Sequence, residues 1–483
     1  MSPATVALTI ILGIVAAGTG IGLYAGRRHR VNLEEWAVAG RGFGLLLVWL
    51  LMAGETFTTF SLLGVSGWVY SRGGPVLYAL GYLTLGQILA FFLLPPIWEL
   101  GRRHGLQTEP DFFAHRFGSR ALTAFVALAG IVFLVIYLQL QLTGLGIIVE
   151  VASFGRIGRT PAMIVSAILV AGFVFTSGVR GIAWVSVLKD ILLIVAAAVI
   201  GFGLPQIHFG GIGPMFAALA RTKPGHMVMP GATTNLGHAW YVSSVLLSSL
   251  ALGWPHMFGS IFTAKSGDTL RRNAVILPIY VVALFLVVFA GCAALLVVPH
   301  LKNGDLALLT VVRQTFPPWF LGVVGGAGAL TAMVPAAILI LSASTLFAKN
   351  VYRPCIAPHM TEAQVGRMAR ATVAATTAVA LGLALQSSTS LVGLLLMAYA
   401  GIAQFFPGIV FGLYWQRVTT AGVFTGMASG IGLAAVLILT HRDPCLGLNA
   451  GFVALLVNFL VTIGVSLATK PQASGWSEAL GEH

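Results

Sequence analysis

Residues 41–72 read RGFGLLLVWLLMAGETFTTFSLLGVSGWVYSR, an apolar run long enough to cross a bilayer that carries polar residues at its middle. Glu55 lies at its centre beside Thr56, Thr58 and Thr59. An ionised carboxylate at that depth is costly unless it meets a cation, a proton or hydrogen-bond donors, so an intramembrane acid points to function. Gly54, Gly64 and Gly67 around it weaken the helical ladder, and backbone broken at membrane depth is tolerated only where it lines a cavity or is buried in protein. The stretch therefore predicts a discontinuous helix at a binding site. The structural alternative is a neutral, hydrogen-bonded glutamic acid that pins two helices together. In this reading Glu55 is the only acid deep in an apolar span.

Working outward, the chain has 483 residues, 58% hydrophobic and 8% charged, where soluble proteins average about 25% charged. Its mean hydropathy is +0.94. This is a polytopic integral membrane protein whose solvent is the lipid bilayer. The net charge of +13 sits in short loops between apolar runs, a pattern that orients spans and excludes nucleic acid as a partner. Cys292, Cys355 and Cys445 fall in separate segments, giving neither a metal site nor a disulfide framework. The start, MSPATVALTIILGIVAAGTGIGLYAG, lacks a basic leader and is followed by RRHR, so it reads as a retained first helix.

Runs of about 20 apolar residues give about thirteen spans, and runs of that length in lipid are helices. The fold class is all-α integral membrane. Placing loops alternately on two sides, the set with Arg27, Arg28, Arg102, Arg103, Arg116, Arg271, Arg272, Arg353, Arg367 and Arg417 holds roughly 19 of the 27 Lys and Arg and is expected to be cytoplasmic. The amino terminus is then outside and the carboxyl terminus inside. Glycine ladders such as Gly322, Gly325, Gly326, Gly328 and Gly422, Gly426, Gly430 predict close helix packing. Polar groups at the middles of other spans, Ser243, Ser244, Ser248, Ser249, Gln139, Gln141 and Gln404, are what a polar solute in a membrane requires if they converge.

Four motifs in order carry a resemblance over residues 5–470. They are TEPDFFAHRF at 108–117, GWPH at 253–256, SASTLFAKNVYR at 342–353, and FGLYWQRVTTAG with GMASG up to residue 430. Together they resemble the sodium:solute symporter family, whose members include proline, pantothenate, monocarboxylate and sodium–glucose cotransporters. The resemblance implies the leucine-transporter-type 5+5 inverted repeat, with ion and solute held between broken helices. It divides a single transmembrane domain into an extra helix (1–40), a first repeat (41–210), a second repeat (211–415), two extra helices (416–470) and a cytoplasmic tail (471–483).

By the same resemblance, sodium is held by backbone carbonyls that fall on Gly54, Phe57 and Thr331. Two further ligands, hydroxyl side chains in the family, fall on Val334 and Pro335, which offer none. Pro335 frees the carbonyl four residues before it, and Glu55 supplies an anionic oxygen nearby. The coupling ion is therefore sodium on the resemblance, or a proton carried by Glu55; no other cofactor is expected. The solute-binding candidates are Thr58, Ser61, Ser248 and Gln404, with Phe57, Tyr241, Trp254 and Phe405 as aromatic gates. The expected function is a secondary active symporter in a bacterial inner membrane, moving a small polar solute such as a monocarboxylate or amino acid with a cation. No catalytic residues are expected, because an intramembrane enzyme needs a convergent constellation. Beyond Glu55 only His256 offers itself, and its motif reads as a cytoplasmic helix end.

Overall fold

The computed structural model describes residues 1–26, 33–230 and 236–470; Arg27, Arg28 and the expected tail 471–483 lie outside them. The chain starts with α1 (Pro3–Gly26) and a short α2 (Leu33–Val38). The run around Glu55 forms α3 (Leu45–Thr56) and α4 (Val65–Arg72). Next come α5 (Tyr78–His104), α6 (Glu109–Phe117), α7 (Arg120–Ala152), α8 (Arg159–Phe209), α9 (Ile212–Thr222), α10 (His238–Leu250) and α11 (Pro255–Thr263). Then α12 (Gly267–Ile276) runs into α13 (Val281–Val297), and α14 (Ala307–Thr315) leads to the buried α15 (Pro318–Leu346). The chain closes with α16 (Arg353–Cys355), α17 (Glu362–Gln386), α18 (Leu391–Ile402), which continues as α19 (Phe406–Tyr414), then α20 (Thr420–Leu439) and α21 (Ala450–Ala468).

Among the described residues, ten helical stretches are long and apolar enough to cross a membrane, and two bent pairs add one each. The 51 residues of α8 would reach about 76 Å if straight, far beyond a hydrocarbon core of about 30 Å. Gly178, at φ 59° and ψ −170°, folds α8 in two; that backbone region is essentially reserved for glycine. Both ends of α8 return to one face: Arg159 lines a cleft with Lys302 and Asp305, and His208 Nε2 lies 2.9 Å from Thr315 Oγ1. The turn itself packs on Trp36. Counted as two spans, α8 brings the total to the thirteen that the hydropathy predicts.

Two breaks position the site. α3 and α4 meet at 53°, and α10 and α11 at 56°. Phe57 leaves α3 in an extended conformation, and the Ser61 N–H turns to Thr58 O, 2.9 Å away, so the Phe57 carbonyl loses its helical partner. In the second pair Trp254 is extended and Pro255 starts α11, where its missing N–H cannot continue α10. GWPH is therefore the break inside the bundle, which corrects its reading as a helix end at the inner face.

The glycine ladders are packing seams, as their spacing predicts. A Cβ on Gly422, Gly426 or Gly430 would lie 2.0 Å from Ser466 Oγ, 1.9 Å from Thr462 Oγ1 or 2.2 Å from Gln404 Oε1, which brings α20 onto α21 and the α18–α19 joint. Gly322, Gly325 and Gly326 do the same for α15 against Ala7, Ile10, Ile11 and Ile14 of α1. Leu12, Phe92, Ile168, Phe175, Phe202 and Leu460 stand exposed on the outer surface, the arrangement expected where lipid is the solvent.

Candidate functional site

The two breaks face one another across a small cavity. Glu55, in the last turn of α3, is 2% exposed; its Oε1 accepts a hydrogen bond from Ser260 of α11. Its other oxygen has no partner among the described residues. Glu55 lines the cavity with Gln87 of α5, Tyr137 of α7, Ser248 of α10, Trp254 and His256 at the second break, and Tyr82 and Tyr399. The aromatic rings form a wall, with Tyr82–Tyr399, Trp254–Tyr399 and Tyr137–Trp254 centroids 5.4, 5.6 and 5.0 Å apart.

Four polar atoms on this lining lack a hydrogen-bond partner among the described residues: Glu55 Oε2, Gln87 Oε1, Ser248 Oγ and His256 Nδ1. A buried polar group left unpaired costs roughly 1–3 kcal/mol, so four of them on one cavity mark a place built for a polar guest. The cavity measures about 60 Å³, room for roughly four waters or a solute of comparable size.

The candidates read from sequence divide unevenly. Ser248 and Glu55 line the cavity. Thr58 is fully buried beside it, accepting from the Phe60 N–H at 3.2 Å and paired with the Tyr137 hydroxyl. Ser61 is buried with its hydroxyl unpartnered among the described residues; it is not on the cavity lining. Gln404 lies elsewhere: its Nε2 donates to Ala400 O and Gly451 O at 2.9 and 3.2 Å, and its Oε1 and backbone oxygen accept from Asn458 Nδ2 at 3.2 and 2.7 Å. Of the aromatic candidates, Trp254 lines the cavity, whereas Phe57 packs on Tyr280, centroids 4.5 Å apart.

The carbonyls expected to ligate sodium meet a different partner. Lys189 of α8, fully buried, donates from Nζ to Phe57 O at 3.0 Å and to Gly54 O at 3.3 Å. The same nitrogen lies 2.8 Å from Asp190 Oδ1 as a buried ion pair. Thr331 is buried with its hydroxyl on Ala327 O. Val334, one turn along α15, lies 3.4 Å from where a Gly54 Cβ would be, so α3 and α15 are neighbours as the resemblance implies. Lys189 and Asp190 escape a sequence reading because the adjacent pair VSVLKDILLIV is neutral overall. Glu55 is thus not the only acid deep in the bundle. The signal was there nonetheless, an acid and a base halfway along an apolar run.

Comparison with known proteins gives the family and the fold. The model of the sodium:solute symporter family matches residues 36–430. The chain is 41% identical to the uncharacterized symporter YhjB of Bacillus subtilis over 97% of this chain and 98% of that protein. It is 28% identical to a monocarboxylate transport permease protein of Rhizobium johnstonii over 89% of this chain and 88% of that one. The solved structure of a Na+-coupled sialic acid symporter in a substrate-bound outward-open state superposes with a TM-score of 0.77 at 16% identity, covering 96% and 98% of the two chains. Mhp1, a nucleobase-cation-symport-1 transporter, superposes at 0.58 with 14% identity over 92% and 97%. The fold is thus the one shared by these transporters, two sets of five spans each led by a broken helix, and the chain belongs to the sodium:solute symporter family.

Proposed function

We propose that this integral membrane protein is a cation:solute symporter of a bacterial inner membrane, with its amino terminus outside, and that it takes up a short monocarboxylate. The observation that carries the reading is the convergence of Glu55 Oε2, Gln87 Oε1, Ser248 Oγ and His256 Nδ1, all without partners among the described residues, on one cavity between two broken helices. The cavity size favours a solute of a few heavy atoms, and the name of the Rhizobium relative supports a monocarboxylate. Serine, histidine and a protonated Glu55 can each donate to a carboxylate. A small amino acid is the second reading, because Gln87 Oε1 is an acceptor that an ammonium would satisfy.

The test is uptake and counterflow in proteoliposomes over a panel of short carboxylates and amino acids. Accelerated exchange of one short monocarboxylate supports the first reading. Exchange confined to amino acids favours the second, and the absence of counterflow for the whole panel would overturn both.

A further inference from the structure

The place where the family resemblance puts a sodium ion is already held by a charge of the chain's own. At the α3–α4 break the Gly54 and Phe57 carbonyls point to Lys189 Nζ. A lysine ammonium has three N–H donors; two reach the carbonyls of the break, and Asp190 Oδ1 stands 2.8 Å away as the ion-pair partner. Charge is balanced on the spot, since the fully buried lysine and its 1%-exposed aspartate neutralise one another.

The remaining side of the site does not fit a metal ion. A hard cation needs about five or six oxygens. On α15, Val334 and Pro335 have no side-chain oxygen; the Thr331 hydroxyl donates its hydrogen to Ala327 O, and that hydroxyl oxygen and the carbonyl of the same residue are all that this turn of α15 offers a cation. The nearest hydroxyl on α8, Ser186, donates its hydrogen to Ile182 O, so even with its oxygen counted the neutral donors here fall short of a full shell once Lys189 holds the two carbonyls of the break. A free sodium ion at the Gly54 and Phe57 carbonyls would compete with a tethered cation for the same lone pairs and would be repelled by it. Glu55 from α3, and Tyr280 beside Asp190, are the other titratable groups facing this pair; no side chain of α15 carries charge.

We propose that Lys189 is a resident, covalently tethered cation standing where relatives of this fold would place a free metal ion, so that solute binding by this chain takes no sodium. The inference rests on the symporter reading above for its solute arm only. It assigns to Lys189 the structural work of an ion: bridging the broken helix of the first repeat to α8 and compensating carbonyls that the break leaves without N–H partners.

The experiment uses the full-length purified protein. Radiolabelled sodium binding is measured without any solute, and solute binding is measured in sodium and in N-methylglucamine buffer. The expected result is no saturable sodium binding and the same solute dissociation constant in both buffers. Saturable sodium binding by the wild type, or a tightening of solute binding by roughly tenfold or more in sodium, would overturn the proposal. If no solute binds in either buffer, the symporter reading fails while the radiolabel measurement still decides this one. Lys189→Ala removes the tethered charge and frees two carbonyls and the Asp190 carboxylate for an ion. Its melting temperature is expected to rise with sodium concentration while that of the wild type does not, and a sodium-insensitive variant would count against Lys189 as the ion's replacement. Should that variant not fold, the wild-type measurements stand alone.

Discussion

Ser260 of α11 donates its hydroxyl hydrogen to Oε1 of Glu55 in α3, so a single side-chain bond joins the two broken helix pairs at the cavity edge. With Ser260→Ala, neither Glu55 oxygen keeps a protein partner, since the second is already unpartnered among the described residues. The expected cost is about 1–3 kcal/mol of stability, together with weaker solute binding. Thermal unfolding in detergent, with and without solute, measures both, and Ser260→Thr, which keeps the hydroxyl, should restore most of each. Unchanged unfolding in Ser260→Ala would mean that the bond does not hold the two breaks together.

Gln404→Ala is expected to act on the fold and not on the solute. Its amide closes the α18–α19 joint onto α21 through Ala400, Gly451 and Asn458, and the residue is fully buried. Truncation leaves those groups unpaired at a cost of about 1–3 kcal/mol. The folded yield should fall while the half-saturation constant of the surviving protein stays at the wild-type value. A raised constant with normal yield would return Gln404 to the solute site.

How much of this was legible in the chain can be judged from these residues. Span number, the two breaks and the small-residue seams follow from hydropathy, glycine and proline, because each is a local property of a helix in lipid. Glu55 stood out for the same reason, a charge where water is absent. The helix partners of Gln404 were not legible, because a mid-span amide has equal need of a solute or of a neighbouring helix, and nothing local says which helix is near. His256 was set aside because its motif read as a cytoplasmic helix end, whereas it is the break inside the bundle. Lys189 and Asp190 were hidden by their own neutrality, and the partner carbonyls lie more than a hundred residues away in sequence.

Gly426→Ala tests the seam between α20 and α21. The added methyl would lie 1.9 Å from Thr462 Oγ1 and 2.9 Å from the backbone oxygen of Asn458, so rotation of one side chain cannot relieve it. Overpacking of this kind costs about 1–3 kcal/mol. Unfolding should shift accordingly, while solute binding, confined to the cavity between the breaks, keeps its affinity.

Two acids two residues apart on α6 should give stability opposite pH slopes. At Asp111 burial opposes the charge, but the Lys349 ammonium at 2.8 Å, the Gln107 N–H and the Asn350 amide hold the carboxyl below its ordinary value. That stability is fully present above the unfolded value of about 3.9 and is lost as pH falls through the folded one. Glu109 is fully buried without a hydrogen-bond partner among the described residues, and burial pushes its carboxyl well above the ordinary range. The folded state then keeps a proton the unfolded chain releases, so stability declines as pH rises from about 4.3 towards the folded value. Glu109→Gln should flatten that decline, and Asp111→Asn should lose about 3 kcal/mol at neutral pH along with the acid-side slope. Thermal unfolding across pH reads both, and parallel curves for wild type and Glu109→Gln would refute the assignment.

The loopless turn at Gly178 also bears on how the chain enters the membrane during synthesis. The arm before it, residues 160–177, carries no charge, while the arm after it carries Arg180, Lys189 and Asp190. Charged residues at a span's centre oppose insertion by roughly 2.5–3.5 kcal/mol each. Because no polar connector separates the arms, the apolar one can draw its charged sister into the bilayer as a single hairpin. The lysine then arrives in the bilayer with its ion-pair partner, Asp190, beside it.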